Sequence, residues 1–177
     1  MQENFDFTDY ASQVRNTART LFGSVHSSAD IAACMHLMTV ATERDLSRFG
    51  DPPALSLVAC GPGCGSCCVV NVDILFPEAT AIVRSLKKRS SEKMLERVSV
   101  RLDELLQRTR WLDDEERVFL REPCAFLDHQ GRCLIHAVRP LLCRALTSTD
   151  PDRCHDAIVM APLDGAPSVE MNLFQKN

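Results

Sequence analysis

The stretch on which the reading turns is Cys60-Gly61-Pro62-Gly63-Cys64-Gly65-Ser66-Cys67-Cys68, four thiols within nine residues, the first three separated by three glycines and a proline. Thiolates that share a metal ion must converge on one point. The backbone carrying them has to curl tightly, and glycine supplies the positive φ angles that such curling needs. Four further cysteines stand at Cys124, Cys133, Cys143 and Cys154, beyond an intervening stretch of 55 residues. The ninth, Cys34, lies on the apolar face of a predicted helix and reads as a small buried hydrophobe. The remaining eight form two groups of four.

Working outward, the 177 residues are 45% hydrophobic and 25% charged, proportions that suit one compact domain with a buried core. A formal charge of −4 and a pI near 5.7 argue against nucleic acid as a partner. No apolar run of about 18 residues is present, so no membrane partner is expected. The start, MQENFDFTDYASQ, has neither the basic residues nor the apolar run of a signal peptide. The expected compartment is therefore a reducing cytoplasm, where clustered cysteines serve as metal ligands or reactive thiols rather than as disulfides.

Helical periodicity dominates the rest. Phe7, Tyr10, Val14, Ala18 and Leu21 predict one helix up to Gly23, and Ile31, Cys34, Met35, Met38, Thr42, Leu46 and Phe49 predict a second, capped near Ser27 to Asp30. Val69 to Phe76 read as a short strand or extended segment. Pro77 and Glu78 then open a third helix with the basic end Lys87-Lys88-Arg89, Ser90 and Ser91 start a fourth, and Asp113 to Arg121 form a shorter fifth. The expected fold class is mainly α (α+β): helices around a small irregular cysteine-rich metal-binding core with one β-hairpin. Residues 1–50 would be an N-terminal helical segment. Residues 51–177 would be a cysteine-cluster domain with a helical insert at 77–121, the whole forming a single compact unit.

The hairpin is expected around Asp128-His129-Gln130-Gly131, with Phe126 facing Cys133 and Cys124 on the same face. Pro140 would sit in the first turn of a helix that places Cys143 near a dipole favouring the thiolate. Arg132, Arg139, Arg144 and Arg153 stand within a few residues of these cysteines as candidate N–H donors to sulfur. Cys67 and Cys68, if extended, would point to opposite sides and serve two ions.

Taken together, Cys60-x3-Cys64-x2-Cys67-Cys68, Pro123-Cys124-Ala-Phe-Leu and Gly131-Arg-Cys133-Leu-Ile-His-Ala-Val-Arg139-Pro140-Leu-Leu-Cys143-Arg144 resemble the YkgJ-like cysteine-cluster family of zinc- or iron-chelating domains. Ala125 stands where that family usually has a second proline, and His136 where it usually has tyrosine. The resemblance covers residues 60 to 144 and implies metal chelation. Domains of this type are also associated with protein methylation.

The expected ligands are Cys60, Cys64, Cys67, Cys68, Cys124, Cys133, Cys143 and Cys154, and the expected metal is Zn²⁺ in one or two Cys₄ sites. The alternative is iron or an iron–sulfur cluster with redox or enzymatic chemistry, in which His129, His136 or His155 would act as ligand or proton carrier. Cys60-x3-Cys64-x2-Cys67 also has the spacing of radical S-adenosylmethionine enzymes. The consecutive helices that follow, in place of a βα series, argue against that chemistry.

Overall fold

The computed structural model describes residues 6–49 and 58–150 together with Asp152, Cys154 and Asp156. Helix α1 (Phe7–Phe22) begins where the Asp6 carboxylate accepts the N–H groups of Thr8 and Asp9. Helix α2 (Ser28–Phe49) follows Ser27, whose hydroxyl accepts the Asp30 N–H at 3.2 Å. Helix α3 (Phe76–Arg89) has Pro77 in its first turn and Lys87, Lys88 and Arg89 in its last. Helix α4 (Glu92–Thr109) is capped by Ser91. Helix α5 (Asp114–Leu120) opens with a reciprocal Asp113–Glu116 capping box and ends at Arg121 in the left-handed region, φ 53°. Short helix α6 (Leu141–Ala145) follows Pro140, which is its cap rather than a residue of its first turn.

The buried centre is aliphatic. Ile82 and Leu86 of α3, Val98 of α4 and Ile135 form it, with Met94, Leu95, Phe126, Cys133 and Val138 packed against its edge. Helix α2 lies along α3, burying Met35, and α1 rests on α2. All nine cysteines are free and half-buried, beside this core rather than inside it. Among the described residues no helix is long and apolar enough to cross a membrane.

The expected β-hairpin is not formed. Among the described residues the ladder reduces to a single antiparallel bridge between Leu127 and Cys133, one residue out of the expected register. Turns at both ends explain the truncation. Leu127 N–H donates to the Cys124 carbonyl at 3.0 Å and His136 N–H to the Cys133 carbonyl at 3.2 Å, so neither arm stays extended for more than a few residues. The segment after Cys68 is likewise no strand. Its backbone is extended at Val70 (φ −86°, ψ 159°) and Leu75 (φ −82°, ψ 152°), yet it pairs with nothing among the described residues.

One buried carboxylate joins distant parts of this chain. Glu78, 5% exposed, accepts the Leu75 N–H on Oε2 and the Leu141 N–H on Oε1, each at 2.8 Å. It thereby fills the open N-terminal donors of α3 and of α6 together. Glu78→Ala removes the acceptor of two N–H groups, one of them on exposed Leu75, and is expected to cost about 2 kcal/mol, with Glu78→Gln losing roughly half as much. Urea denaturation checks this, and an unchanged midpoint for the alanine variant contradicts the role.

Candidate metal centre

The first cysteine group is carried by consecutive tight turns. Cys64 N–H donates to the Gly61 carbonyl at 3.0 Å, Cys68 N–H to Gly65 at 3.0 Å and Val70 N–H to Cys67 at 3.3 Å. Gly63 holds φ +93°, which a side-chain-bearing residue rarely adopts. Cys67 and Cys68 lie in the 3₁₀ turn Ser66–Val69, not in an extended segment. Successive side chains in such a turn diverge by about 120° rather than 180°. The two thiols are therefore not held on opposite sides as an extended segment would hold them.

The second group is brought against the first by the backbone. Cys124 N–H donates to the Cys68 carbonyl at 2.7 Å, and Ala59 N–H to the Ser148 carbonyl at 2.9 Å. Gly131, at φ +72°, lies so close to Gly63 that a Cβ there would stand 3.0 Å from the Gly63 carbonyl oxygen. The turn between them is set by Asp128, whose Oδ1 accepts the N–H groups of Gln130 at 2.8 Å and Arg132 at 2.9 Å. From α4, Arg101 Nη1 donates to the Leu127 carbonyl at 2.6 Å and Nη2 to that of Cys124 at 3.4 Å.

The electrostatics reveal which thiols are neighbours. Cys67 is drawn down to about 6, first by its hydrogen bond with Cys68 and also by the Arg139 guanidinium, while Cys68 is pushed up by the same shared proton. Cys143 is pushed up to about 11 by burial and then by Cys124, Cys67 and Cys133. Cys133 is raised by burial and by Cys124 and Cys67, against the pull of Arg139. Burial likewise raises Cys154, reinforced by Cys60, Cys64 and Cys67. Thiols of both groups thus fall in one neighbourhood. Cys124 acts on Cys68, Cys133 and Cys143, Cys60 and Cys64 act on Cys154, and Cys67 acts on Cys133, Cys143 and Cys154.

These sulfurs are adjacent without yet closing on a point. Among the described residues no three Cys, His, Asp or Glu side chains stand where one ion would need them. The donor set nonetheless suits a soft or borderline cation, because it consists of thiols bordered by buried guanidinium N–H groups that lack acceptors, Arg139 Nε and Arg117 Nη1. The expected dipole effect on Cys143 is outweighed. Helix α6 has five residues, and burial among other thiols raises the Cys143 pKa instead.

His129 and His136 are exposed, and the His136 pKa is lowered by burial and then by Arg139 and Arg144. His155 and Arg153 lie outside the described residues. Cys34 stands apart, its thiol donating to the Leu21 carbonyl at 3.0 Å. Arg117 went unnoticed in the sequence, since it precedes Cys124 by seven residues within an ordinary charged helix. Its only sequence signal was its place in the α5 pattern.

Compared with known proteins, residues 59–160 match the CxxCxxCC family, a putative zinc- or iron-chelating domain. No curated protein and no solved structure matches the chain.

Two expectations follow from the Gly63–Gly131 approach. Gly131→Ala should cost about 1–3 kcal/mol through its left-handed backbone and the clash with Gly63, and should speed alkylation of Cys64, whereas Gly61→Ala, with open space around its Cβ position, should change neither. The Asp128 carboxyl is held below the usual carboxylate range, chiefly by the Arg132 N–H. Its contribution is present above the unfolded pKa and lost as pH falls through the lowered folded value. The melting temperature of Asp128→Ala should therefore lie below wild type near neutrality and converge with it in strong acid.

Proposed function

The chain belongs to the CxxCxxCC family of metal-chelating domains, and from that premise we propose that it is a zinc protein. Its eight clustered thiols would hold two ions in sites shared between its two cysteine groups. Cys60, Cys64, Cys67 and Cys154 would form one set, and Cys68, Cys124, Cys133 and Cys143 the other. The observation that carries this reading is the Cys124–Cys68 backbone hydrogen bond at 2.7 Å, together with the influence of Cys124 and Cys133 on both Cys68 and Cys143. The influence of Cys60 and Cys64 on Cys154 supports the other set.

Four thiolates around a divalent cation make a closed site of the structural kind. When bound, the ion would supply cross-linking of the two cysteine groups. The chain's own residues do the rest. The glycine turns keep the first group curled, Arg101 fixes the Cys124 turn, and Glu78 holds α6 and hence Cys143 in place. Ligation of such a site by thiolates from separate segments would couple binding to local folding. A reducing compartment is the setting in which nine free thiols would persist.

Elemental analysis of protein purified without added metal should give two zinc ions per chain, falling to one in Cys154→Ser and in Cys143→Ser and unchanged in Cys34→Ser. Because Cys133, Cys143 and Cys154 are raised in the metal-free state, zinc uptake at neutral pH should release protons, and affinity should fall as pH is lowered. Two ions retained in both serine variants, or coloured protein containing iron in place of zinc, would overturn the proposal.

A further inference from the structure

The helical insert carries its charge in two opposed blocks. Residues 87–101 hold six cations and two carboxylates, and residues 102–116 hold six carboxylates and two cations. Helix α4 spans both blocks, with Lys87, Lys88 and Arg89 just before its start and Asp113, Asp114, Glu115 and Glu116 just after its end. All seven of these residues are exposed. The dipole of α3 favours cations in its last turn, yet by the same rule the first turn of α4 disfavours Lys93. Helix dipoles therefore account for one part of the basic block only.

Along α4 itself, a rotation of about 100° per residue puts Lys93, Arg97, Val100 and Glu104 within about 60° of one another, turned away from buried Val98. All four are exposed, Val100 to 49%. Arg97 and Glu104 stand roughly 10 Å apart along the axis, too far to pair with each other. The neighbours three and four positions from Arg97 are Lys93, Met94, Val100 and Arg101, none of them acidic. Around Glu104, Arg101 is engaged with the carbonyls of Leu127 and Cys124, and Arg108 with Glu122 at 2.9 Å. Among the described residues no ion pair includes Lys93, Arg97 or Glu104.

We propose that this flank of α4 is an interface with a second copy of the chain, the two helices lying antiparallel across a two-fold axis. Arg97 stands five residues from the start of α4 and Glu104 five from its end. Helices aligned end to end therefore set Arg97 of each copy against Glu104 of the other, with the two Val100 side chains beside the axis. The same register brings the basic turn between α3 and α4 of one copy to the acidic residues 113–116 of the other. Lys93 then opposes Arg108, whose charge Glu122 already meets. A partner of one sign, such as a nucleic acid or an acidic peptide, would satisfy one block and be repelled by the other. A second copy turned end for end satisfies both, and each contact is made twice.

The test is the oligomeric state of the full chain, kept reduced so that no disulfide links the copies. Sedimentation equilibrium at low salt should give a reversible dimer, its dissociation constant rising roughly tenfold between about 0.05 and 0.5 M salt as the exposed ion pairs are screened. Arg97→Glu and Glu104→Arg should each give monomer alone. An equimolar mixture of the two should dimerise again, because each copy of one then faces opposite charges on the other. Arg15→Glu, a change of the same kind on exposed α1, should match wild type. Circular dichroism should show every variant folded, since each substitution is at an exposed position. A wild-type chain that stays monomeric at low salt would overturn the proposal, whether or not it binds polyglutamate or duplex DNA. So would a dimer that persists in both single variants, or a mixture of them that stays monomeric.

Discussion

A backbone hydrogen bond from the Cys124 N–H to the Cys68 carbonyl, 2.7 Å long, joins two cysteine groups that the chain separates by a helical insert. Its consequences extend well beyond its own modest free energy. Thiols resist being gathered, because each one that ionises raises the cost of ionising the next. Placing them together therefore requires a scaffold that fixes the backbone first and lets the sulfurs follow. Gly63 and Gly131, stacked carbonyl to α-carbon, and the Asp128 turn provide the rest of that scaffold.

The insert is more than a spacer. Its helices α3 and α4 contribute Ile82, Leu86 and Val98 to the aliphatic centre on which Ile135 rests. The same helices reach the site with polar side chains, Glu78 toward Leu141 and Arg101 toward Leu127 and Cys124. Apolar burial provides most of the driving force for this packing, while the buried polar groups decide where the second cysteine group stands. The division of labour leaves the thiols half-buried at the core's edge, where a cation can reach them.

Much of this was legible in the residues. Helix positions followed from periodicity and from Ser27 and Ser91, short polar side chains suited to open N–H groups, while the caps Asp6 and Asp113 emerged only from the structure. Two local features were misread for the same reason. The Cys124–Ile135 region has turn-forming residues at both ends, and alternation over so few positions cannot compete with closing those turns, so a hairpin shrank to the Leu127–Cys133 bridge. Cys67 and Cys68 follow Gly65 and Ser66, which favour continued curling over extension.

Chain order alone determined that sulfur would be concentrated in two groups, that glycine would bend the first around itself, and that amphipathic helices would lie between them, because spacing and side-chain type govern short-range geometry directly. Which arginines would be claimed by carboxylates was decided only on folding. Arg132 and Arg144 each adjoin a cysteine and Arg139 stands four residues before Cys143, yet the ion pairs with Asp128 and Glu43 claim the first two, while the Nε of Arg139 is buried without an acceptor. Such a choice depends on what else each side chain meets in three dimensions, and Glu43 lies 101 residues from the arginine it holds.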